Sequence, residues 1–279
     1  MGCTFSSNID VVPPKMQLDY QTPISKLDTK NSTFYVDNQN NLWKIHKEST
    51  SREIEFMLKN NIFISKLNHE HILSPKLALS SSRLSIAICM DYADADLFEI
   101  ISQKFDWNFV CGQFPGLCDA VHFLHSHGVA HRDLKPENIT LYRNKLCLID
   151  FDYAYPLSVL AHCGTLFFKC SKRITDKWNV SIEEKSRKMD VYGFGKLIIS
   201  VMWSASCYNM VGHKKLLYET FHQHEPVINE NPFVGSYYIW FKIASLSITM
   251  TPPSRIPVYL AAEAPTITTV DAVTLITDF

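Results

Sequence analysis

Two spacings of hydrophobic residues alternate along this chain. Phe34-Tyr35-Val36 and Leu42-Trp43-Lys44-Ile45 are short aromatic and β-branched runs separated by the polar stretch Asp37-Asn38-Gln39-Asn40-Asn41, which predicts two strands joined by a tight turn. From Arg52-Glu53-Ile54-Glu55-Phe56-Met57-Leu58 the apolar spacing lengthens to that of an amphipathic helix. The serine cluster Ser80-Ser81-Ser82 reads as a turn before a strand from Leu84 to Met90. Ile139 and Leu141 then alternate with polar residues, Arg143-Asn144-Lys145 can turn the chain, and Leu146, Leu148 and Ile149 return, so a second hairpin is predicted. The longest apolar run, around Leu197 to Trp203, is too short to span a bilayer and fits a buried helix.

Composition narrows the class. With 279 residues and 32.0 kDa the chain is long enough for one sizeable domain and little else. A net charge of -1, from 27 basic and 28 acidic residues, argues against nonspecific nucleic-acid binding. The eight cysteines lack paired metal-ligand spacing, which points to reduced thiols in a cytosolic or nuclear compartment, and no secretory signal is present. A cytoplasmic location is therefore expected.

The candidate chemistry lies in His131-Arg132-Asp133-Leu134-Lys135-Pro136-Glu137-Asn138. A hydroxyl is nearly inert as a nucleophile at neutral pH, so phosphoryl transfer needs a carboxylate to orient it and accept its proton, and Asp133 is placed for that. Lys135 can neutralise charge on the phosphoryl group in flight. Asn138 offers a neutral oxygen to a hard cation such as Mg²⁺. The predicted hairpin after the loop delivers Asp150 beside it, a second oxygen donor for the same ion.

These residues resemble the eukaryotic-type protein kinase family: His131 to Asn138 match its catalytic loop, and Asp150-Phe151-Asp152 stands where the family usually has Asp-Phe-Gly. The stretch Ala120 to Val129 looks like the long helix that precedes that loop. The resemblance implies an α+β, two-lobed protein kinase-like fold. A small, mainly-β N-lobe with one long helix would cover about residues 21–92 and a larger, mainly-α C-lobe about 93–279, behind a tether over residues 1–20. It implies ATP and Mg²⁺ as cofactors and proteins as substrates, with Asp133 and Lys135 catalytic and Asn138 and Asp150 binding metal. The compact size and eroded secondary motifs resemble kinases carried by large DNA viruses.

The nucleotide end departs from the family. In the best register Asp28, Lys30 and Thr33 stand where the three glycines of the phosphate-covering hairpin would be, and Leu27 and Tyr35 flank it. Such a loop should sit further from the phosphates, with Asp28 repelling them unless it points to solvent. Lys44 is the candidate for the lysine that grips the α- and β-phosphates, with Lys47 as its rival. Glu53, in preference to Glu55, is its expected helix partner. Met90, Asp91 and Ala93 resemble the segment that lines the adenine pocket and pairs with the base. Asp94 or Asp96 would meet the ribose or, equally, cap the helix from Leu97.

In the lower lobe, Cys163-Gly164-Thr165 resembles the substrate segment, and with Lys135 it implies serine or threonine acceptors. Asp190-Val191-Tyr192-Gly193 matches the helix that braces the catalytic loop. Lys172 occupies the place of a glutamate that in the family pairs with an arginine, here best matched by Arg255, so local rearrangement is expected. Between Asp152 and Gly164 the one serine or threonine is Ser158, leaving Arg132 without an obvious loop phosphate to hold. The histidines His122, His125, His127 and His131 are spread by helix and turn placement and read as structural. Met1-Gly2-Cys3-Thr4-Phe5-Ser6 fits N-myristoylation at Gly2 with palmitoylation at Cys3, which would place the kinase peripherally on a membrane. The rival reading of the whole chain is a pseudokinase, a scaffold that keeps the fold without turnover; a small-molecule phosphotransferase fits Lys135-Pro136-Glu137-Asn138 and Cys163-Gly164-Thr165 less well.

Overall fold

A computed structural model describes residues 25–208, apart from residues 30, 48–49, 83–84, 94, 104 and 167. Gly2, Cys3, Lys30, Asp94 and Arg255 lie outside the described residues. Two compact units are present, one made of residues 1–65 and 75–92 and the other of residues 66–74 and 93–279.

The first unit holds β1 (Ser25–Asp28), β2 (Ser32–Val36), β3 (Asn41–His46), α1 (Ser51–Ile64), β4 (Leu77–Ser82) and β5 (Ser85–Asp91). Its antiparallel sheet has the order β1-β2-β3-β5-β4. The β2–β3 turn forms because the Asp37 carboxylate replaces absent backbone partners. It accepts from the N–H groups of Gln39 and Asn41 and from the Trp43 indole, and Asn40 takes a left-handed φ of 60°. Burial works against the charge, but these donors prevail and hold Asp37 down at about 2. Ser80 to Ser82 are not the expected turn; they belong to β4 and pair with β5 across a register shift. Cross-strand pairing outweighs the weak strand preference of serine there. α1 lays Ile54 and Met57 on Ile86, Ile88 and Met90.

The second unit contains β6 (Ala95–Asp96), α2 (Leu97–Ile101), α3 (Trp107–Ser126), β7 (Val129–Ala130), β8 (Ile139–Tyr142), β9 (Lys145–Leu148), β10 (Tyr155–Pro156), α4 (Lys172–Thr175) and α5 (Ile182–Tyr208). The β8–β9 hairpin turns on Arg143 and Asn144, both at positive φ, the two-residue geometry that suits the strand twist. Phe114, Leu117 and Leu124 of α3 are fully buried, as are Leu146 and Leu148 of β9 and Leu197, Ile198 and Val201 of α5. Asp96 caps α2 by accepting the N–H of Glu99 at 2.7 Å, the helix-capping alternative of the two roles open to it. Of the described cysteines none forms a disulfide, and burial pushes Cys89 and Cys147 up to about 11 and Cys170 up to about 12. Among the described residues no helix is long and apolar enough to cross a membrane, and no group of three or more histidine, cysteine or acidic side chains is placed to hold a metal ion.

Candidate active site

In the second unit the 131–138 loop is fixed from below by one buried carboxylate. Asp190, on α5, accepts the backbone N–H of His131 at 2.8 Å and of Arg132 at 2.7 Å, and its Oδ2 lies 2.8 Å from His125 Nε2. Burial opposes the charge, yet His125 and these donors keep Asp190 below the usual carboxylate range. Three of the four histidines have partners of this structural kind: His125 meets Asp190, His131 the carbonyl of Ile149, and His127 that of Phe123.

Held in this way, the loop turns Asp133 toward a set of donors. Oδ1 accepts the backbone N–H of Thr165 at 2.6 Å, and Oδ2 accepts Asn138 Nδ2 at 2.8 Å and pairs with Lys135 Nζ at 3.1 Å. Lys135 Nζ also donates to Thr165 Oγ1 at 2.8 Å. Asp133 is itself 3% exposed, and although burial favours its neutral form, Lys135 and Thr165 hold it below the ordinary range. The close approach of Thr165 requires Gly164 before it. That residue has φ +89°, and a Cβ there would stand 2.2 Å from the carbonyl oxygen of Arg132.

Asn138 and Asp150 meet through the hairpin: Asn138 closes a 3₁₀ turn, its carbonyl accepts the N–H of Ile149 at 3.0 Å, and Asp150 follows with φ 64°. Asp152 is not among the residues at positive φ, so this conformation makes no demand for the glycine it replaces. Phe151 is buried against the His131 ring.

Arg132 shows a partner that sequence reasoning missed. Its guanidinium donates to the carbonyls of Ala161 and of Val159, the latter at 2.6 Å, and to Ser186 Oγ at 2.9 Å. Ser186 is wholly buried and also bonds the carbonyl of Leu157 at 2.8 Å. The segment after Asp150 is therefore tied down by neutral acceptors. No local pattern marks a serine 54 residues from its partner. Lys172 is exposed at the start of α4, so on its side no charge is buried, and the expected rearrangement has no driving force there.

The first unit corrects two expectations. Glu53 does not reach Lys44. It is the third residue of α1, exposed, with Oε2 accepting the N–H and hydroxyl of Thr50 at 2.8 and 2.7 Å while Thr50 Oγ1 accepts the Glu53 N–H, a reciprocal cap. Glu55 is likewise exposed and pairs with Lys59. The buried face of α1 carries Ile54, Met57, Asn61 and Ile64, and Asn61 donates to the carbonyl of Met57. We expect Glu53→Gln and Glu53→Ala to leave nucleotide affinity unchanged by calorimetry, with only the alanine variant lowering Tm because it removes the cap.

Tyr35 is the second correction. β2 and β3 pair Phe34 with Lys44 and Tyr35 with Trp43, so strand alternation puts Tyr35 on the opposite sheet face from Lys44, stacked on Trp43. Lys44 is 8% exposed and shares its face with Leu27, Phe34, Leu42 and Met90. Asp91 pairs with Lys76 at 2.5 Å, and Ala93 is half-buried. Lys47 is engaged elsewhere, donating to the Thr29 carbonyl at 2.9 Å and pairing with Asp28 at 3.1 Å. Thr33 also donates to Asp28, at 2.5 Å. The glycine-free hairpin is thus cross-linked by Thr33 and Asp28, and the charge of Asp28 is met by Lys47 just beyond β3.

Known proteins share part of this sequence. The chain is 26% identical over 189 residues to a Saccharomyces cerevisiae protein named fatty acyl-CoA synthetase and RNA processing-associated kinase 1, a match covering 63% of this chain and 21% of the relative. It is 28% identical over 174 residues to human NUAK family SNF1-like kinase 1, covering 60% of this chain and 24% of that one. A probable serine/threonine-protein kinase of Dictyostelium discoideum, fhkC, is 33% identical over 94 residues, covering 33% and 16%. The matched region spans about a quarter or less of each of these relatives' length. The family model described as protein kinase domain matches residues 35–245, most of the chain, which therefore belongs to the protein kinase domain family.

Proposed function

We propose that the chain is an active protein kinase that moves the γ-phosphoryl group of ATP to serine or threonine hydroxyls of proteins. The observation that carries this reading is the meeting of Asp133, Lys135 and Thr165, a carboxylate and an ammonium gathered under a substrate-type segment. As the accepting oxygen bonds to phosphorus and the bond to ADP breaks, the hydroxyl proton passes to Asp133. Lys135 offsets charge on the moving group. Asp133 is held ionised, so it is ready to take that proton at neutral pH, and its main service is to orient the hydroxyl.

Asn138 and Asp150 fit Mg²⁺ by donor chemistry: an amide oxygen and a carboxylate are hard ligands, and spending Asn138 Nδ2 on Asp133 leaves its Oδ1 for the ion. When bound, Mg²⁺ supplies neutralisation of phosphate charge. Lys44 is assigned to the ATP phosphates, and Leu27, Met90, Asp91 and Ala93 to the nucleoside.

One observation favours the pseudokinase alternative. The described buried face of α1 presents no carboxylate to order a phosphate-binding lysine. Transfer of labelled γ-phosphate to a mixture of generic acceptor proteins separates the two readings. We expect incorporation by the wild type, its loss on chelation of Mg²⁺, and a drop of at least about 10²-fold in Lys44→Met. Background counts in all samples would establish the scaffold instead.

A further inference from the structure

We infer that the substrate segment continues into a surface that recognises acidic protein segments, an inference that rests on the kinase reading only for what becomes of the bound segment. Lys169, Lys172, Arg173 and Lys177 lie within twelve residues of Thr165, and Asp176 is the one acid among residues 163–178. The stretch carries a net charge of +3, four cations less one carboxylate, in a chain whose overall charge is -1. Lys172, Arg173 and Lys177 are exposed, and among the described residues none of the four cations lies within ion-pair distance of a carboxylate. By contrast, Arg187 and Lys188 of α5 do find one, Glu184.

The cations stand on a fixed support next to the proposed chemistry. The Thr165 carbonyl accepts the N–H groups of Phe168 and Lys169 at 3.0 and 2.9 Å, while its own N–H holds Asp133. α4 follows, with fully buried Thr175 bonded to the carbonyl of Lys172 and within 3.4 Å of His162 Nε2. Ile174 and Trp178 pack on Cys170, Met189 and Tyr192, which leaves Lys172, Arg173 and Lys177 to project outward. Four cations against one carboxylate in so short a stretch leave a local excess of positive charge and a net repulsion among them. A partner supplying two or three carboxylates beside its accepting hydroxyl relieves that repulsion. Exposed Leu166, at 82%, offers an apolar contact in the same segment. The chemistry favours a protein over a nucleic acid because the cations form one short patch rather than a backbone-tracking stripe.

Fluorescence anisotropy with the full chain tests this without requiring turnover. The probes are a serine peptide flanked by glutamates, the same peptide with glutamines, and a single-stranded oligonucleotide of equal charge. We expect the acidic peptide to bind about tenfold more tightly than the neutral one, with the preference shrinking as salt rises. Reversal of both Lys172→Glu and Arg173→Glu should erase the preference, and Lys59→Glu with Lys66→Glu, an equal change of net charge on exposed residues elsewhere, should preserve it. Equal affinity for the two peptides, a preference that survives the first reversal or falls equally in the control, or an oligonucleotide that binds as tightly as the acidic peptide would overturn the inference. Adding labelled ATP to the same samples separates the readings. Preferential binding with no transfer to any peptide removes the kinase and keeps the acid-binding surface, whereas transfer without preference keeps the kinase and removes the surface.

Discussion

Asp133→Asn is expected to lower kcat by about 10²–10⁴-fold, the range associated with loss of a positioned acid–base group, while KM for ATP stays within a few-fold of wild type. Both Asp133 oxygens are used, Oδ1 by the Thr165 N–H and Oδ2 by Asn138 and Lys135. An asparagine keeps one oxygen and turns an amide N–H₂ toward donors on whichever side it faces. The substitution therefore also loosens the substrate segment, and Asp133→Ala is the necessary companion because it removes the base without adding that clash. Equal losses in both variants, read as kcat in steady-state transfer assays, assign the effect to the carboxylate. A loss confined to asparagine would assign it to the clash. The pH profile gives a second check. Because Asp133 titrates below the ordinary carboxylate range, the acid limb of kcat/KM attributable to it lies below about pH 4, and activity should not fall on its account between neutrality and that point.

How much of this was readable in the chain depends on how local each signal is. The 139–148 hairpin and the Asp37–Asn41 turn follow from alternation and from residues that tolerate left-handed backbone, and both form as their sequences imply. Asp190 was legible through the resemblance of Asp190-Val191-Tyr192-Gly193 to the family's bracing helix, although that helix starts earlier, at Ile182, and the two backbone groups Asp190 holds were not legible. Glu53 was misread for want of a pattern that was present: Thr50 three residues before it spells a capping box, and the cap requires the glutamate to bend back on its own helix. Tyr35 was misplaced by one strand position, which moves a side chain to the other face of a sheet. The grip of Arg132 and Ser186 on the 157–161 segment had no local trace, since it joins a loop and a helix distant in sequence through backbone carbonyls.

The largest loss of stability is expected at Asp190. Removing it in Asp190→Ala leaves the buried N–H groups of His131 and Arg132 and the imidazole of His125 without their acceptor. Buried donors left unsatisfied cost about 1–3 kcal/mol each, so the variant should lose about 4 kcal/mol or more, a large part of a typical domain's 5–15 kcal/mol. Asp190→Asn retains one accepting oxygen and should lose about 2 kcal/mol, by urea denaturation at neutral pH. The direction of the pH effect follows from the depressed folded-state titration of the carboxylate. The unfolded chain takes up the proton first as pH falls, so the stabilisation from ionised Asp190 is full above about pH 4, the unfolded value, and is lost progressively below it. The gap between wild type and Asp190→Asn should therefore be constant from neutrality down to about pH 5 and close at lower pH. A gap of the same size at neutral and at strongly acid pH would show that shape, and not charge, is what Asp190 supplies, and the loop above it would then be braced by packing alone.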